Sequence, residues 1–257
     1  MFITLRSHQV DGVVDKIPLL LGPETAVIPP TTGIPWWYFY GLAGPYTDLR
    51  LPELDPGDRQ WSAIGPERVI GCAFWTGAEV WEPGVVHQDG TRGAYPIGEP
   101  SSDTSPRLIA LVEAMTAGGL HTPIQKDIRG QLWIKMINSL CWNHAGFLTE
   151  AINGRFADAP HAVEIVRRMM LEMEAIATSL GAEMPVPTEK RIAMTVRVAD
   201  YTMSMLQDLQ RARPIEIDVL ADSVAAMSRI SGISAPTVDA LTALTKLKGR
   251  VRGVYKG

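Results

Sequence analysis

Up to Pro100 the chain carries short apolar runs of the kind that form strands, beginning with Phe2-Ile3-Thr4-Leu5-Arg6. A helical pattern follows over Val10–Leu21, Gly22-Pro23 breaks it, and a second β-type run, Ala26-Val27-Ile28, is closed by Pro29-Pro30 and Gly33. Strand, helix, strand predicts a parallel sheet, because parallel strands need a crossover that is usually helical. Such strands are normally buried on both faces, so a sheet starting at Phe2 would put an apolar edge in water. Further chain is therefore expected to precede or cover that edge.

Between Gly41 and Gly65 the frequent Pro, Asp and Gly predict a long surface loop. Short runs return at 68–75, 78–81, 84–87 and 94–98, with Glu82-Pro83-Gly84 and Gln88-Asp89-Gly90 as turns, and predict an antiparallel extension. After Pro100-Ser101-Ser102-Asp103 the apolar period changes to 3.6. Ser105-Pro106 is a cap followed by a first-turn proline, and Leu108, Leu111, Val112 and Met115 mark a buried stripe that ends at Gly118-Gly119. Further helices are predicted at 127–148, 160–180, 188–211, 214–230 and 236–248. The class is α/β followed by all-α, divided into residues 1–120 and 121–257.

Composition narrows the options. With 257 residues, 46% apolar and 20% charged, this is a folded chain with room for one large domain or two modest ones. No apolar run approaches the ~20 residues of a membrane helix, so no membrane partner is expected. Twenty-four basic against twenty-eight acidic residues leave a net charge of −4 without basic blocks, and nucleic acid is not an expected partner. Cys72 and Cys141 are the two cysteines and no charged-then-apolar leader opens the chain, which points to the cytoplasm.

The helix at 127–148 is where chemistry concentrates. Lys135, Ser139 and Asn143 recur at i, i+4 and i+8 and share one face of an otherwise apolar helix. A solvated stripe is the ordinary explanation, but such stripes carry several charges of both signs, and this one offers a single amine among small neutral groups. A lone, partly desolvated ammonium has a lowered pKa and is suited to giving up a proton. Farther along, Pro214 is read as first-turn, which puts Glu216 near a helix N-terminus, as a routine capping acid or as part of a site. Asp208 and Asp218 are read as solvated or paired with nearby arginines.

Other chemistries find no foothold. G-x-G-x-x-G, a P-loop and G-x-S-x-G are all missing, and the five histidines lack metal-ligand spacing, so no metal is expected. Cys141 and His144 could form a thiol–imidazole pair, although a buried Cys beside an incidental His is the simpler reading. Met169, Met170 and Met173 read as core. Trp36, Trp37 and Tyr38 are either core or a bulky apolar wall of a substrate site.

Several segments together resemble the ketopantoate reductase (2-dehydropantoate 2-reductase) family: Gly33-Ile34-Pro35-Trp36-Trp37-Tyr38-Phe39, Ile97-Gly98-Glu99-Pro100, Leu132-Trp133-Ile134-Lys135 with Asn143 and Leu148-Thr149, and Ser204-Met205-Leu206-Gln207-Asp208 followed by Glu216. The resemblance implies a truncated Rossmann-like N-terminal domain with an antiparallel extension, then a helical substrate and dimerisation domain like the C-terminal domain of 6-phosphogluconate dehydrogenase. It also implies NADPH-dependent reduction of a small 2-keto acid to a 2-hydroxy acid. Lys135 would be the general acid and Glu216 would hold the substrate hydroxyl and orient the lysine. Ser204, Asn143, Asn153 and Ser139 would bind substrate, while Arg6 and Thr32 stand at cofactor positions. An ammonium beside the carbonyl stabilises the charge that develops as hydride arrives.

The departures matter too. Arg6 stands where a lysine is expected, and Thr32, Ser139 and Tyr201 each replace an asparagine. Roughly the first seventy residues of the family pattern, with the glycines and helix N-terminus that bind the pyrophosphate, have no counterpart here. Two alternatives therefore stand beside the NADP-dependent reductase: a cofactor-free isomerase, lyase or cyclase using the Lys135–Glu216 pocket, or a non-catalytic relative. A homodimer is a further expectation, from the exposed sheet edge and long helices.

Overall fold

The computed structural model describes residues 1–5, 7–29 and 33–257, so Arg6 and Thr32 lie outside the described residues. The chain forms two compact units, Met1–Lys135 and Met136–Gly257.

Parallel pairing organises the first unit. Phe2 pairs with Ile28 and Val27 with Val69, both in parallel, and the amides of Ile3 and Ile70 donate to Ile28 O (3.0 Å) and Val27 O (2.9 Å). The third stretch continues into β1 (Gly71–Cys72), which pairs antiparallel with β4 (Ile97–Gly98), and Ile97 pairs in parallel with Ile124. Alternation along these stretches sends side chains to two cores. Ile3, Val27, Val69 and Ala73 pack with Val10, Ile17, Trp36, Trp37, Ile64, Ile128 and Leu132. Ile28, Ile70 and Cys72 pack instead with Ile97, Leu108 and Met115. A sheet clad on both faces is what parallel pairing requires.

Two glycines let helix and ladder meet. Gly71 faces Gly98 in the β1–β4 register. A Cβ at Gly98 would stand 2.3 Å from Gln125 O, and one at Gly71 would stand 2.8 Å from both Ile128 and Trp37. Next to Gly98, the buried Glu99 carboxylate accepts from Ser105 Oγ (2.5 Å) and from Arg107 Nε and Nη2 (2.8 and 2.6 Å). Ser105 caps α3 (Pro106–Ala117), so this contact fixes that helix beside the sheet.

Several expectations for this unit need correction. The stretch read as one helix over Val10–Leu21 is a single turn, α1 (Ser7–Val10), followed by a 3-10 segment at Val14–Leu20 that contains Pro18. The loop expected at 41–65 includes α2 (Arg59–Ile64), whose first amides, Gln60 N and Trp61 N, are capped by the Asp55 carboxylate at 2.9 Å each. The hairpin of β2 (Trp75–Glu82) and β3 (Val85–Ala94) turns at Pro83-Gly84 as expected, but Gln88-Asp89-Gly90 stays within β3, with a shift in register between Asp89 and Ala94.

The second unit is helical: α4 (Ile128–Thr149), which begins in the first unit, α5 (Pro160–Ser179), α6 (Thr188–Arg197), α7 (Ser204–Gln210), α8 (Asp218–Ser231) and α9 (Pro236–Val251). The helix expected at 188–211 is interrupted. Asn153 N and Gly154 N take the carbonyls of Tyr201 (3.0 Å) and Ala199 (2.9 Å), so those oxygens are unavailable to a helix ladder. A Cβ at Gly154 would lie 2.9 Å from Ala199 Cβ and O, which is why a glycine sits there. Likewise 214–217 is not helical, because Ile215 N donates to Val254 O (2.9 Å) and both Ile215 and Ile217 are buried. Remote side chains finish two helices: Glu172 caps α9 through Thr237 N and Val238 N, and Lys248 takes the carbonyls of Phe147 (2.6 Å) and Leu148 (3.0 Å) near the end of α4.

Candidate active site

In the first unit the candidate site residue is Lys135, half-buried on α4. Its Nζ stands 5.8 Å from the centre of the Phe74 ring. Burial pulls its pKa from 10.5 down to about 8, and the nearby Cys72 sulfur opposes this weakly. Cys72 itself is buried and pushed up to about 12, so the thiol is neutral across the physiological range. An amine that gives up its proton near neutrality, beside an aromatic ring and a neutral thiol, has the protonation behaviour of a general acid.

The same helix carries another buried cation that does something else. Arg129 donates to Tyr38 O (2.6 Å), Pro100 O (2.5 Å) and Tyr40 O (2.6 Å), so its guanidinium ties three loop carbonyls to α4. Trp133 Nε1 donates to the Tyr38 hydroxyl at 2.8 Å, and burial raises that hydroxyl's pKa to about 12. Trp36, Trp37, Tyr38 and Phe39 are all buried, and the core reading holds for them.

In the second unit three of the expected substrate residues converge. Asn143 Nδ2 donates to Ser139 O (2.8 Å) and Ser139 Oγ (3.3 Å), while its Oδ1 accepts from Ser204 Oγ (3.2 Å) and Met205 N (2.8 Å). Those four contacts use the whole hydrogen-bonding capacity of the amide. Asn143 is therefore also the cap of α7, supplied from a different helix. Within the motif that follows, Asp208 pairs with Arg213 Nη2 at 3.0 Å.

Asn153 makes different contacts. Its Nδ2 donates to Thr195 O (3.3 Å), and its buried Oδ1 has no hydrogen-bond partner among the described residues. Glu216 sits in the non-helical stretch ahead of α8, between the buried Ile215 and Ile217, and so does not occupy the first helical turn expected of it. Asp218, read as solvated or paired with an arginine, has a half-exposed side chain and pairs with a lysine instead, Lys246 (2.7 Å), while accepting from Tyr255 (2.8 Å).

The thiol–imidazole pair is not formed: Cys141 Sγ lies 3.8 Å from Met173 Sδ, and His144 is held between Thr245 Oγ1 (2.8 Å) and Thr242 Oγ1 (3.0 Å). Burial takes the His144 pKa down to about 4, so the imidazole is neutral. Asn138, one position off the site face, accepts from the buried Arg191, which also pairs with Glu174. Among the described residues no group of three or more His, Cys, Asp or Glu could hold a metal, and no helix is long and apolar enough to cross a membrane.

Sequence reasoning missed Phe74 and Arg129. Phe74 stood in an apolar strand with nothing to say which face met the lysine. Arg129 could have been noticed as a charge at the start of a helix whose next turns are almost wholly apolar.

Comparison with known proteins identifies the family. Residues 127–249 match the family described as "Ketopantoate reductase PanE/ApbA C terminal". A 2-dehydropantoate 2-reductase of Mesorhizobium japonicum is 38% identical over 254 residues, covering 98% of this chain and 77% of the relative. A crystal structure from Ralstonia solanacearum MolK2, assigned to the ketopantoate reductases, superposes with a TM-score of 0.90 at 30% identity, over 99% of this chain and 77% of that one. D-Mandelate dehydrogenase, solved with NADH and anilino(oxo)acetate, shares the fold at a TM-score of 0.78 and 19% identity. With the helical half matched to the family model and nearly the full length aligned to a curated member, this chain belongs to the ketopantoate reductase family of oxidoreductases.

Proposed function

We propose that the chain takes part in reduction of a small 2-keto acid of the 2-dehydropantoate type to its 2-hydroxy acid, with Lys135 as the proton donor. The observation that carries this is the amine itself: α4 presents it half-buried against Phe74, with a pKa lowered to about 8. At neutral pH such an amine is still mostly protonated, and it can release its proton to an oxygen that is gaining negative charge.

A nicotinamide dinucleotide, NADP in the form expected from the family, supplies the hydride when bound. The parallel stretches at Phe2, Val27–Ile28 and Val69 are the kind of sheet against which a dinucleotide lies. Arg6 and Thr32, outside the described residues, keep the cofactor-binding role that the family resemblance implies. The described residues contain no G-x-G-x-x-G turn to cradle its phosphates, so they do not by themselves fit the whole group.

The chain's own residues govern the proton and the substrate. In this reading Glu216 accepts a hydrogen bond from the substrate hydroxyl and orients the Lys135 ammonium. Ser139 and Ser204 offer hydroxyls to the substrate, and Asn143, whose amide is committed to both serines and to Met205, acts by holding them in place. Asn153 offers its buried Oδ1 as an acceptor. Residues 1–120 act as the partial dinucleotide-side domain and 121–257 as the substrate and dimer-forming domain. The exposed Leu244, Leu247 and Val251, spaced along one stripe of α9, support a homodimer, and the two buried free thiols suit a cytoplasmic protein.

The test is direct. Purified chain is mixed with NADPH or NADH and 2-dehydropantoate, and nicotinamide absorbance is followed alongside a fluorescence titration of the dinucleotide. Saturable binding with substrate-dependent oxidation supports the reading, and the preferred dinucleotide names the cofactor. Absence of both removes reduction as the activity of this 257-residue chain.

A further inference from the structure

We propose that Phe74 is a positioning residue for Lys135: its ring face, flanked by the Cys72 thiol, is the platform that holds the ammonium where it can give a proton. The proposal deepens the reading of Lys135 as the acid and rests on it.

The geometry begins in the strand. Ile70, Cys72 and Phe74 alternate, two positions apart, and belong to one cluster, on the sheet face opposite Val69 and Ala73. The last two reach the lysine. The Phe74 ring centre is 5.8 Å from Nζ, within the range where the negative face of an aromatic ring attracts a cation, and Cys72 is near enough to influence the amine electrostatically. The ring is itself braced, because Tyr95 meets it edge-on at 5.9 Å and 80°, and Tyr95 N is tied to His121 O at 2.8 Å. A rigid ring suits this task better than a flexible side chain. It excludes water from one side of the amine, which favours release of the proton, while its π face still attracts the charged form enough to keep it seated.

The groups around the amine leave the ring as the variable to change. Cys72 stays neutral, and Gln131 and Ser139, one turn away on α4, are uncharged. The carboxylate of Glu216, which the proposed mechanism adds, is the same in every Phe74 variant.

The lysines are reductively methylated with ¹³C-formaldehyde and titrated by NMR, with the Lys135 signal identified by its loss in Lys135→Arg. In Phe74→Leu, which keeps an apolar wall but removes the π face, the Lys135 midpoint should fall by about half a unit to one unit. Phe74→Tyr, which restores a ring, should titrate like the unchanged protein. A Phe74→Leu midpoint equal to or above that of the unchanged protein, or a Phe74→Tyr midpoint that falls as far, would overturn the proposal. The titration needs no turnover, so failure of the reading of Lys135 as the acid appears separately, as Lys135→Ala retaining the reaction.

Discussion

Two cations lie on α4 six residues apart in the same compact unit, and they have opposite uses. Arg129 spends its donors on the carbonyls of Tyr38, Pro100 and Tyr40, while Lys135 rests against the Phe74 ring. Both are desolvated, and burial lowers both pKa values. The guanidinium nevertheless remains charged at any physiological pH, because it starts above 12 and is wrapped in acceptors. The amine is brought to about 8, where it can exchange protons. Burial alone therefore does not mark a functional charge; what surrounds the buried group decides whether it builds or reacts.

Substitutions at the two positions should separate turnover from stability. Lys135→Ala is expected to lower kcat by about a hundredfold to ten-thousandfold, as for loss of a general acid, with the melting temperature unchanged or raised. Arg129→Met should do the reverse, costing about 3 kcal/mol in urea denaturation by leaving three carbonyls without their donor, and any surviving folded protein should keep its kcat. Equal effects of both changes on kcat would erase the distinction.

A third polar residue of the helix sharpens the contrast. Asn143 is saturated by Ser139, Ser204 and Met205. Asn143→Ala should cost about 2 kcal/mol through the lost cap and the orphaned amide of α7, and should raise KM by loosening Ser204. A rise in KM without loss of stability would instead mean that Asn143 touches substrate.

Two pH windows follow from the buried bases, and stability rises with pH in both. Lys135 binds its proton less tightly folded than unfolded. It therefore adds stability as pH climbs from about 8 toward 10.5, relative to Lys135→Met. For His144, whose pKa falls from 6.5 to about 4, stability is lost as pH drops through that interval. His144→Gln should remove that loss, a change read as the difference between urea midpoints at the two ends of the interval.

How much of this was legible in the sequence depends on how far apart the interacting residues lie. The i, i+4, i+8 spacing of Lys135, Ser139 and Asn143 was local and could be read directly, and so could the Ser105 cap and the Pro83-Gly84 turn. The interruption of 188–211 could not, because it depends on Asn153 and Gly154 taking the carbonyls of Tyr201 and Ala199 from across the fold. Glu216 was misplaced for a similar reason: Pro214 resembles a helix start, but Val254 claims the Ile215 amide. Arg129 went unnoticed because its acceptors, Tyr38 O and Tyr40 O, lie far back in the chain. Gly98 and Glu99 were recognised as part of a motif, but their work of admitting α4 and anchoring α3 is visible only in three dimensions.

The pH dependence of kcat/KM for reduction of 2-dehydropantoate, measured from pH 6 to pH 10 with saturating nicotinamide dinucleotide, tests the role of Lys135 most directly. The expected profile is a plateau that falls tenfold per unit above a midpoint near 8, as the Lys135 ammonium gives up its proton. A rate that stays level through pH 10, or a limb that persists unmoved in Lys135→Arg, would contradict it.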